Sequence, residues 1–485
     1  MTTPEELARA KHAVVEAPAG CGKTHLIAEA VGLCDDDLPQ LVLTHTHAGV
    51  DALRKHLATL GVARRRFVVE TIAGWALRWA ASFPETSGVQ TDKPTGPEWD
   101  TVYGATVRLL QMEPYKHILR CSYAGVYVDE YQDCTVEQHG LVLALAEVLP
   151  CRILGDPLQG IFGFGRNHLI DWAADVLGTF TPLPPLAKPW RWKGKNEVMG
   201  QWLHDIRQLL LDGKDIPMTG LPQGVRHETL EERKGMTPDE RREVTPDAQK
   251  QSKCCFDLLK REDAGHTSVA IQQPFQYHTA ASLLGGKFSC IEPIDTKELL
   301  DRARRIGETS GRERAVEVID FAAKCMTHVS TIAKTVRNAL ARGKDPRPKK
   351  DDVNVIWQGI RPVVLDDRPD VIVGALRILV RLPKVNVYRW ELLLEMVKAL
   401  KEYASEEFET LHDAAWHVRS RTRHIGRPVF RRCVGSTLLV KGLEFDHAVV
   451  LDADGYNARD LYVALTRGSR SLTILSRDTV LHPSQ

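Results

Sequence analysis

The sequence lacks any run of eighteen apolar residues, any C-x-x-C pair and, with 64 Lys and Arg against 63 Asp and Glu, almost any net charge. Without a long apolar run there is no helical membrane span to expect. The opening residues MTTPEELARAKH hold no apolar core of a secretory leader. The expectation is a soluble, cytoplasmic protein with no membrane partner. Ten cysteines without paired spacing give no support for a structural zinc or an iron–sulfur cluster. Free buried thiols in a reducing compartment are the better reading than disulfides. A net charge of +1 excludes a histone-like polycation but leaves local basic patches open. Repeats and long low-complexity tracts are also missing. At 485 residues the chain is long enough for several domains, each with its own core.

What the sequence does contain begins with short apolar runs that show no polar alternation. They are AVV at 13–15, LVLT at 41–44, FVVE at 67–70, GVYVD at 125–129 and RILGD at 152–156. Helical patterns such as GVDALRKHLATLG lie between some of them. Strands of this kind, separated by helices, predict a parallel sheet covered on both faces. The signal returns in SVAIQQ at 268–273, TLLV at 437–440, HAVVLDA at 447–453 and LTIL at 472–475. Residues 225–262 are highly charged, and roughly 296–425 reads as helical around the Pro-broken loop ARGKDPRPKKDD. The expected fold class is α/β, with two sheets and a mostly helical insertion interrupting the second.

Residues Ala17, Pro18, Ala19, Gly20, Cys21, Gly22, Lys23 and Thr24 read [AG]-x-x-x-x-G-K-[ST], followed by His25. Small residues are needed where backbone N–H groups wrap a phosphate, and Gly20 and Gly22 supply the permissive backbone. Lys23 would bridge the β- and γ-phosphates, and the Thr24 hydroxyl would hold Mg²⁺. The plain alternative is a small-residue turn with a chance GKT. A second apolar run ends in VDEYQD, where Asp129 suits the Mg²⁺ shell and Glu130 a water-orienting base. Two adjacent acids after a strand could instead cap a turn, a weaker reading beside the loop above. A third run ends in GDPLQ, where Gln159 could sense the γ-phosphate. In an open parallel sheet these three loops converge at the carboxyl ends of the strands.

In this order APAGCGKT, VDEYQD, GDPLQGIF, WRW at 190–192, VKGLEF at 440–445 and YVALTR at 462–467 resemble the UvrD/Rep/PcrA group of superfamily 1 DNA helicases. The compact build is also similar to the helicase subunit of Gabija-type antiphage systems. The resemblance covers 10–200 and 430–478 and is weaker across 210–430. It implies two RecA-like P-loop NTPase lobes with ATP between them. Lobe 1A would span 1–185, with a short 1B-like insertion at about 80–120. Lobe 2A would span 186–295 and 430–485, and a 2B-like helical insertion 296–429. Arg191 and Arg467 would be arginine fingers from the second lobe. Trp190 would stack on adenine, Glu444 would meet the ribose and Gly442 would lie near the phosphates.

The same resemblance implies DNA contacts at Thr44, His45, Thr71, Trp75 and Phe164. Trp75, an aromatic at helical spacing, reads as readily as core. The basic stretch HVRSRTRHIGRPVFRR adds Arg419, Arg421 and Arg423 as phosphate contacts or, alternatively, as a solvated face. The chain departs from the family in having no N-terminal Q-motif glutamine and in carrying Leu438 and Leu439 where His-Ser is usual. The implied activity is ATP-dependent, 3′-to-5′ translocation or unwinding on single-stranded or 3′-tailed DNA, in repair or antiphage defence. The alternative is a DNA-sensing ATPase that controls a partner nuclease. No two-carboxylate-plus-lysine nuclease site is read in 210–430, so cutting is expected from a separate subunit.

Overall fold

Strands whose residues are all apolar have no face to offer water, and they are buried on both sides here. The structure, a computed structural model, describes residues 1–91, 94, 96–163, 168–231, 246–259, 266–274, 276–293, 297–347, 351–425 and 430–484, with the side chains of 246, 352 and 422–425 excepted. Among these residues the chain is an α/β protein with two six-stranded sheets. It divides into two compact units. The first holds Met1–Val225, Gly455–Arg470 and Val480–Gln485, and the second Arg226–Asp454 and Ser471–Thr479. No helix among the described residues is long and apolar enough to cross a membrane.

The first sheet is formed by β1 (His12–Glu16), β2 (Gln40–Thr44), β3 (Phe67–Thr71), β4 (Gly125–Val128), β5 (Cys151–Gly155) and β6 (Thr181–Leu183), in the order β3-β2-β4-β5-β1-β6. Every pairing in it is parallel. All residues of β2, β4 and β5 are buried, whereas β3 at the edge alternates. That order places β4, β5 and β1 side by side, so the loops leaving their carboxyl ends are neighbours. Helix starts are fixed by side-chain caps. Thr46 caps His47–Thr59, Thr71 caps Ile72–Ala81, and Thr135 forms a capping box with Gln138 on Val136–Ala146. Helices Glu98–Leu110 and Glu113–Ser122 put Val102, Leu109 and Leu119 into the same core as Val14, Leu41 and Trp75. Residues of both helices therefore share the core of the sheet.

Beyond the short pair β7 (Ile216–Pro217) and β14 (Val480–Leu481), the second sheet has the order β10-β11-β9-β12-β13-β8. Its strands are β8 (Val225–Thr229), β9 (Ser268–Ile271), β10 (Ser289–Cys290), β11 (Arg432–Gly435), β12 (Phe445–Val450) and β13 (Gly468–Ser476). The expected strand at 437–440 is instead the helical turn Thr437–Val440, and the strand is β11 just before it. A four-residue apolar run satisfies either conformation, and the N–H groups of Leu439 and Val440 both bond to the Ser436 carbonyl.

Between β10 and β11 the chain builds a helical body with its own core, in which Leu299, Phe321, Ile360, Leu376, Met396 and Leu411 are all buried. It is fastened to the sheet beside β10. Glu292, fully buried, accepts both guanidinium bonds of Arg389, at 2.7 and 2.6 Å, and Arg389 opens the helix Trp390–Ala404. Burial alone would raise the Glu292 pKa, but the bonds from Arg389 and then His278 outweigh it and hold it at about 2. The stability this pair contributes is therefore present at neutral pH and lost as pH falls from the usual carboxylate range towards 2. Arg389→Ala is expected to cost the second unit about 3–5 kcal/mol in a urea titration, because it leaves a buried carboxylate without its counter-charge. The double change Glu292→Gln/Arg389→Met should lose less than the single one.

Candidate functional site

β1 runs out of the sheet at Glu16, and the next six residues turn before the helix Lys23–Leu33 begins. The turn is anchored by the Ala17 N–H, which donates to the Gly155 carbonyl of β5 at 2.9 Å. Gly20 and Gly22 take φ of +70° and +88°, which a side chain would resist. Lys23 is 8% exposed, with its Nζ 3.2 Å from the Glu130 carboxylate. The Thr24 hydroxyl donates to Asp129 at 3.2 Å. Lysine, threonine and both acids thus meet at the ends of two strands separated only by β5. His25, one residue on, is half exposed and lies 3.3 Å from Glu29 on its own helix.

The acids sit in contrasting surroundings. Asp129 is buried, and its pKa is pushed up to about 6 by that burial and by repulsion from Glu130, with Lys23, the Glu130 N–H and Thr24 pulling the other way. Burial alone would lower the Lys23 pKa, yet Glu130, Asp129 and Asp156 together raise it, so the amine stays charged. Glu130 adopts φ of +56°, a left-handed backbone that L-residues take at a cost of about 1–2 kcal/mol. Gln132 fixes its carboxylate, donating to Oε2 at 2.6 Å, and accepts from the Asp156 N–H at 2.9 Å. Asp156 is fully buried and accepts from Gln159 at 2.9 Å and from Arg207 at 3.0 Å. The same Arg207 reaches Glu16 at 3.4 Å.

Arg207 and Gln132 are parts of this arrangement for which the sequence reading gave no role. The signal for Arg207 was present: it lies on the helix Glu197–Leu211 in register with buried Leu203 and Leu210, an arginine on an apolar stripe.

The turn Trp190–Trp192 packs on the loop. A Cβ at Gly20 would lie 2.7 Å from the Arg191 Cβ and 2.8 Å from the Trp192 ring, and one at Gly22 would lie 3.2 Å from Trp190. Trp190 is 47% exposed, with Lys188 and Lys193 amines 4.0 and 4.7 Å from its ring centroid. Arg191 donates to the Thr466 carbonyl at 2.7 Å, Trp192 to the Gly468 carbonyl at 2.9 Å, and the Ala19 N–H to the Tyr462 hydroxyl at 3.2 Å. These bonds draw residues 186–225 and 455–470 into the first unit, whereas the motif order implied a second lobe. Arg467 is likewise in the first unit, 1% exposed, and bonds back to the Val463 carbonyl and the Thr466 hydroxyl. Gly442 and exposed Glu444 belong to the second unit, in the turn before β12.

The expected nucleic-acid contacts scatter. Thr44, at the end of β2, is buried, and His45 lies 3.6 Å from the Cys134 sulfur. The Thr71 hydroxyl is spent as a helix cap. Trp75 is 0% exposed and stacked on Trp79 with centroids 5.2 Å apart, so it offers no face to a base. Arg419 is buried against Glu395 at 3.0 Å, so it is neither a solvated charge nor a phosphate contact. Arg421 is exposed and bonds to Glu402 at 3.1 Å. Phe164 and the Arg423 side chain lie outside the described residues.

Searches against known protein families and curated proteins find no match to the sequence. Among solved structures the chain is similar to the Pif1 helicase from Candida albicans, at 11% identity over 98% of this chain and 93% of that one, with a TM-score of 0.42. It is also similar to Arterivirus nonstructural protein 10, a helicase solved with DNA, at 15% identity and a TM-score of 0.27. That match spans 48% of each chain, about half the length of the viral protein.

The Asp129 proton is held more tightly by the folded protein than by the unfolded chain. Its contribution to stability therefore falls as pH rises from 3.8 to about 6. Asp129→Asn, which keeps the shape and an acceptor for Thr24, is expected to stabilise the first unit by about 1–3 kcal/mol at pH 7. Thermal unfolding without nucleotide at pH 7 and pH 4 checks this, and the gain should vanish at the lower pH.

Proposed function

We propose that the protein is an ATP-dependent motor on single-stranded DNA, and the observation that carries this reading is the meeting of Lys23, Thr24, Asp129 and Glu130 at the ends of β1 and β4, on either side of β5. A charged amine, two glycines in left-handed turns and a helix start favour a polyphosphate. The Thr24 hydroxyl and Asp129 carboxylate are hard oxygen donors close enough to share one Mg²⁺, and a cation there would relieve the raised Asp129 pKa. When bound, that ion neutralises charge on the β- and γ-phosphate oxygens.

The chain's own residues do the rest in this reading. Lys23 exchanges Glu130 for the phosphates. Glu130, still held by Gln132, then orients the attacking water and takes its proton. Gln159, held by Asp156, faces the γ-phosphate. Arg191 and Arg467 stabilise charge developing on the transferred phosphoryl group. Trp190, exposed beside the loop, stacks on adenine. Translocation from 3′ to 5′, unwinding of 3′-tailed duplex, a role in repair or antiphage defence and a separate nuclease partner follow from the motif resemblance. His45 and Arg421 remain candidate strand contacts, while buried Thr44, Trp75 and Arg419 do not.

ATP hydrolysis measured with and without single-stranded DNA tests the reading, followed by strand displacement on a 3′-tailed duplex. Stimulated hydrolysis with displacement is the expected result. Hydrolysis without displacement would assign the sensing role, and no hydrolysis would sink the proposal. Glu130→Gln should lower turnover by about 10²–10⁴-fold while nucleotide still binds, whereas Lys23→Ala loses both. Arg191→Ala should reduce turnover far more than nucleotide affinity, because its contact strengthens as charge develops.

A further inference from the structure

Thr466 is where both candidate finger arginines are held. Its carbonyl accepts from Arg191 Nη1 at 2.7 Å, and its hydroxyl accepts from Arg467 Nη2 at 2.9 Å. That hydroxyl in turn donates to the Tyr462 carbonyl at 2.8 Å, one helical turn earlier. Tyr462 is 2% exposed and lies on the helix Ala458–Leu465. Its phenol oxygen accepts from the Ala19 N–H, inside the turn that would wrap a phosphate. One short path therefore joins the phosphate-loop backbone to both arginines: Ala19, Tyr462, Thr466, then Arg191 and Arg467.

We infer that Tyr462 is a positioning residue whose hydroxyl competes with the nucleotide's phosphate chain for the Ala19 amide, and whose displacement shifts Thr466 and frees the arginines. This rests on the nucleotide reading above. A phosphate oxygen is a stronger, charge-assisted acceptor than a phenol, so it takes the amide when it arrives. The phenol oxygen must then give up its place, because two acceptor oxygens cannot both sit on the one Ala19 N–H, and at this buried position the ring has to shift to admit the second. Buried neutral, with its pKa raised well above the ordinary value by burial, the phenol can donate but cannot leave as an anion. Because the Thr466 hydroxyl bonds to the carbonyl of the same tyrosine, movement of that helical turn moves the residue on which both guanidinium groups rest. Loop occupancy is thereby linked to arginine release, with the free energy of one hydrogen bond opposing binding.

The test uses the full chain with Tyr462→Phe, which keeps the ring and removes the competing oxygen. ADP and AMP affinities are measured by displacement of a fluorescent nucleotide, alongside turnover and melting temperature. ADP affinity should rise by about 2- to 10-fold, the weight of one exchanged hydrogen bond, while AMP affinity stays unchanged. Turnover should fall, because the phosphate chain no longer drives the shift at Thr466. A purely structural tyrosine would weaken both nucleotides together or leave both alone. Wild-type protein that binds ADP while Tyr462→Phe binds it equally or more weakly overturns the inference alone. Wild-type protein that binds no nucleotide overturns the phosphate-loop reading and this inference with it. Thr466→Val is a second variant that keeps the carbonyl for Arg191 but removes the hydroxyl. It should lower turnover without tightening ADP, and a tighter ADP complex would contradict the path drawn here.

Discussion

Asp156 is fully buried, and a carboxylate without water stays charged only if its oxygens are hydrogen-bonded and its charge is balanced. Arg207 supplies the balance, and Gln159 and the Leu158 N–H supply further bonds. Each partner is then fixed in turn. Arg207 reaches Glu16, the residue before the phosphate loop, and Gln159 has its amide oriented. The Asp156 N–H holds Gln132, which holds Glu130, which pairs with Lys23. The loops after β1, β4 and β5 are thus tied by one polar network rather than by chain connectivity. Such a network is costly if half satisfied and rigid when complete.

That network also explains what could be read from the sequence. That the GCGKT turn and the DEYQD segment would meet was legible, because a parallel sheet gathers the loops at the carboxyl ends of its strands. Apolar runs without alternation announced doubly covered strands for a local reason. The apolar stripe marked Arg207 as an inward-facing arginine, but its partner, 51 residues away, could not be read from it. The Ala19 contact with Tyr462 spans 443 residues. Charge counting singled out the basic stretch around Arg419, yet which of its arginines turns inward depends on Glu395 across the helical body. Trp75 illustrates the same limit: helical spacing allowed core or surface, and its stacking on Trp79 decided for core. The strand misplaced at 437–440 was a four-residue run, too short for periodicity to separate helix from strand.

In the second unit the comparable knot is ionic. His278, Cys290 and Glu292 come within 4.8 Å of one another, a set of residue types that could hold a metal. Arg389 takes both Glu292 oxygens at 2.7 and 2.6 Å, so the positive charge at this point is already supplied by the chain. The result is a joint between sheet and helical body rather than an open ligand set. A buried guanidinium–carboxylate fork suits that use, since its two parallel bonds fix orientation as well as distance.

The first unit is discontinuous: the chain leaves it after Val225 and re-enters at Gly455. A ribosome therefore releases the phosphate loop, β4, β5 and the Trp190–Trp192 turn long before it makes the residues that complete them. During that interval the Ala19 amide, the Trp192 indole and the Arg191 guanidinium lack the bonds they later make to Tyr462, Gly468 and Thr466. The intervening 229 residues of the second unit can collapse around their own helical core meanwhile. Closing the first unit then requires contacts across most of the chain's length, the slow kind of step in folding. The turn after β1 thus waits for its last partners until residues 455–470 have been made, so the order of synthesis leaves this turn open while the second unit is already able to fold.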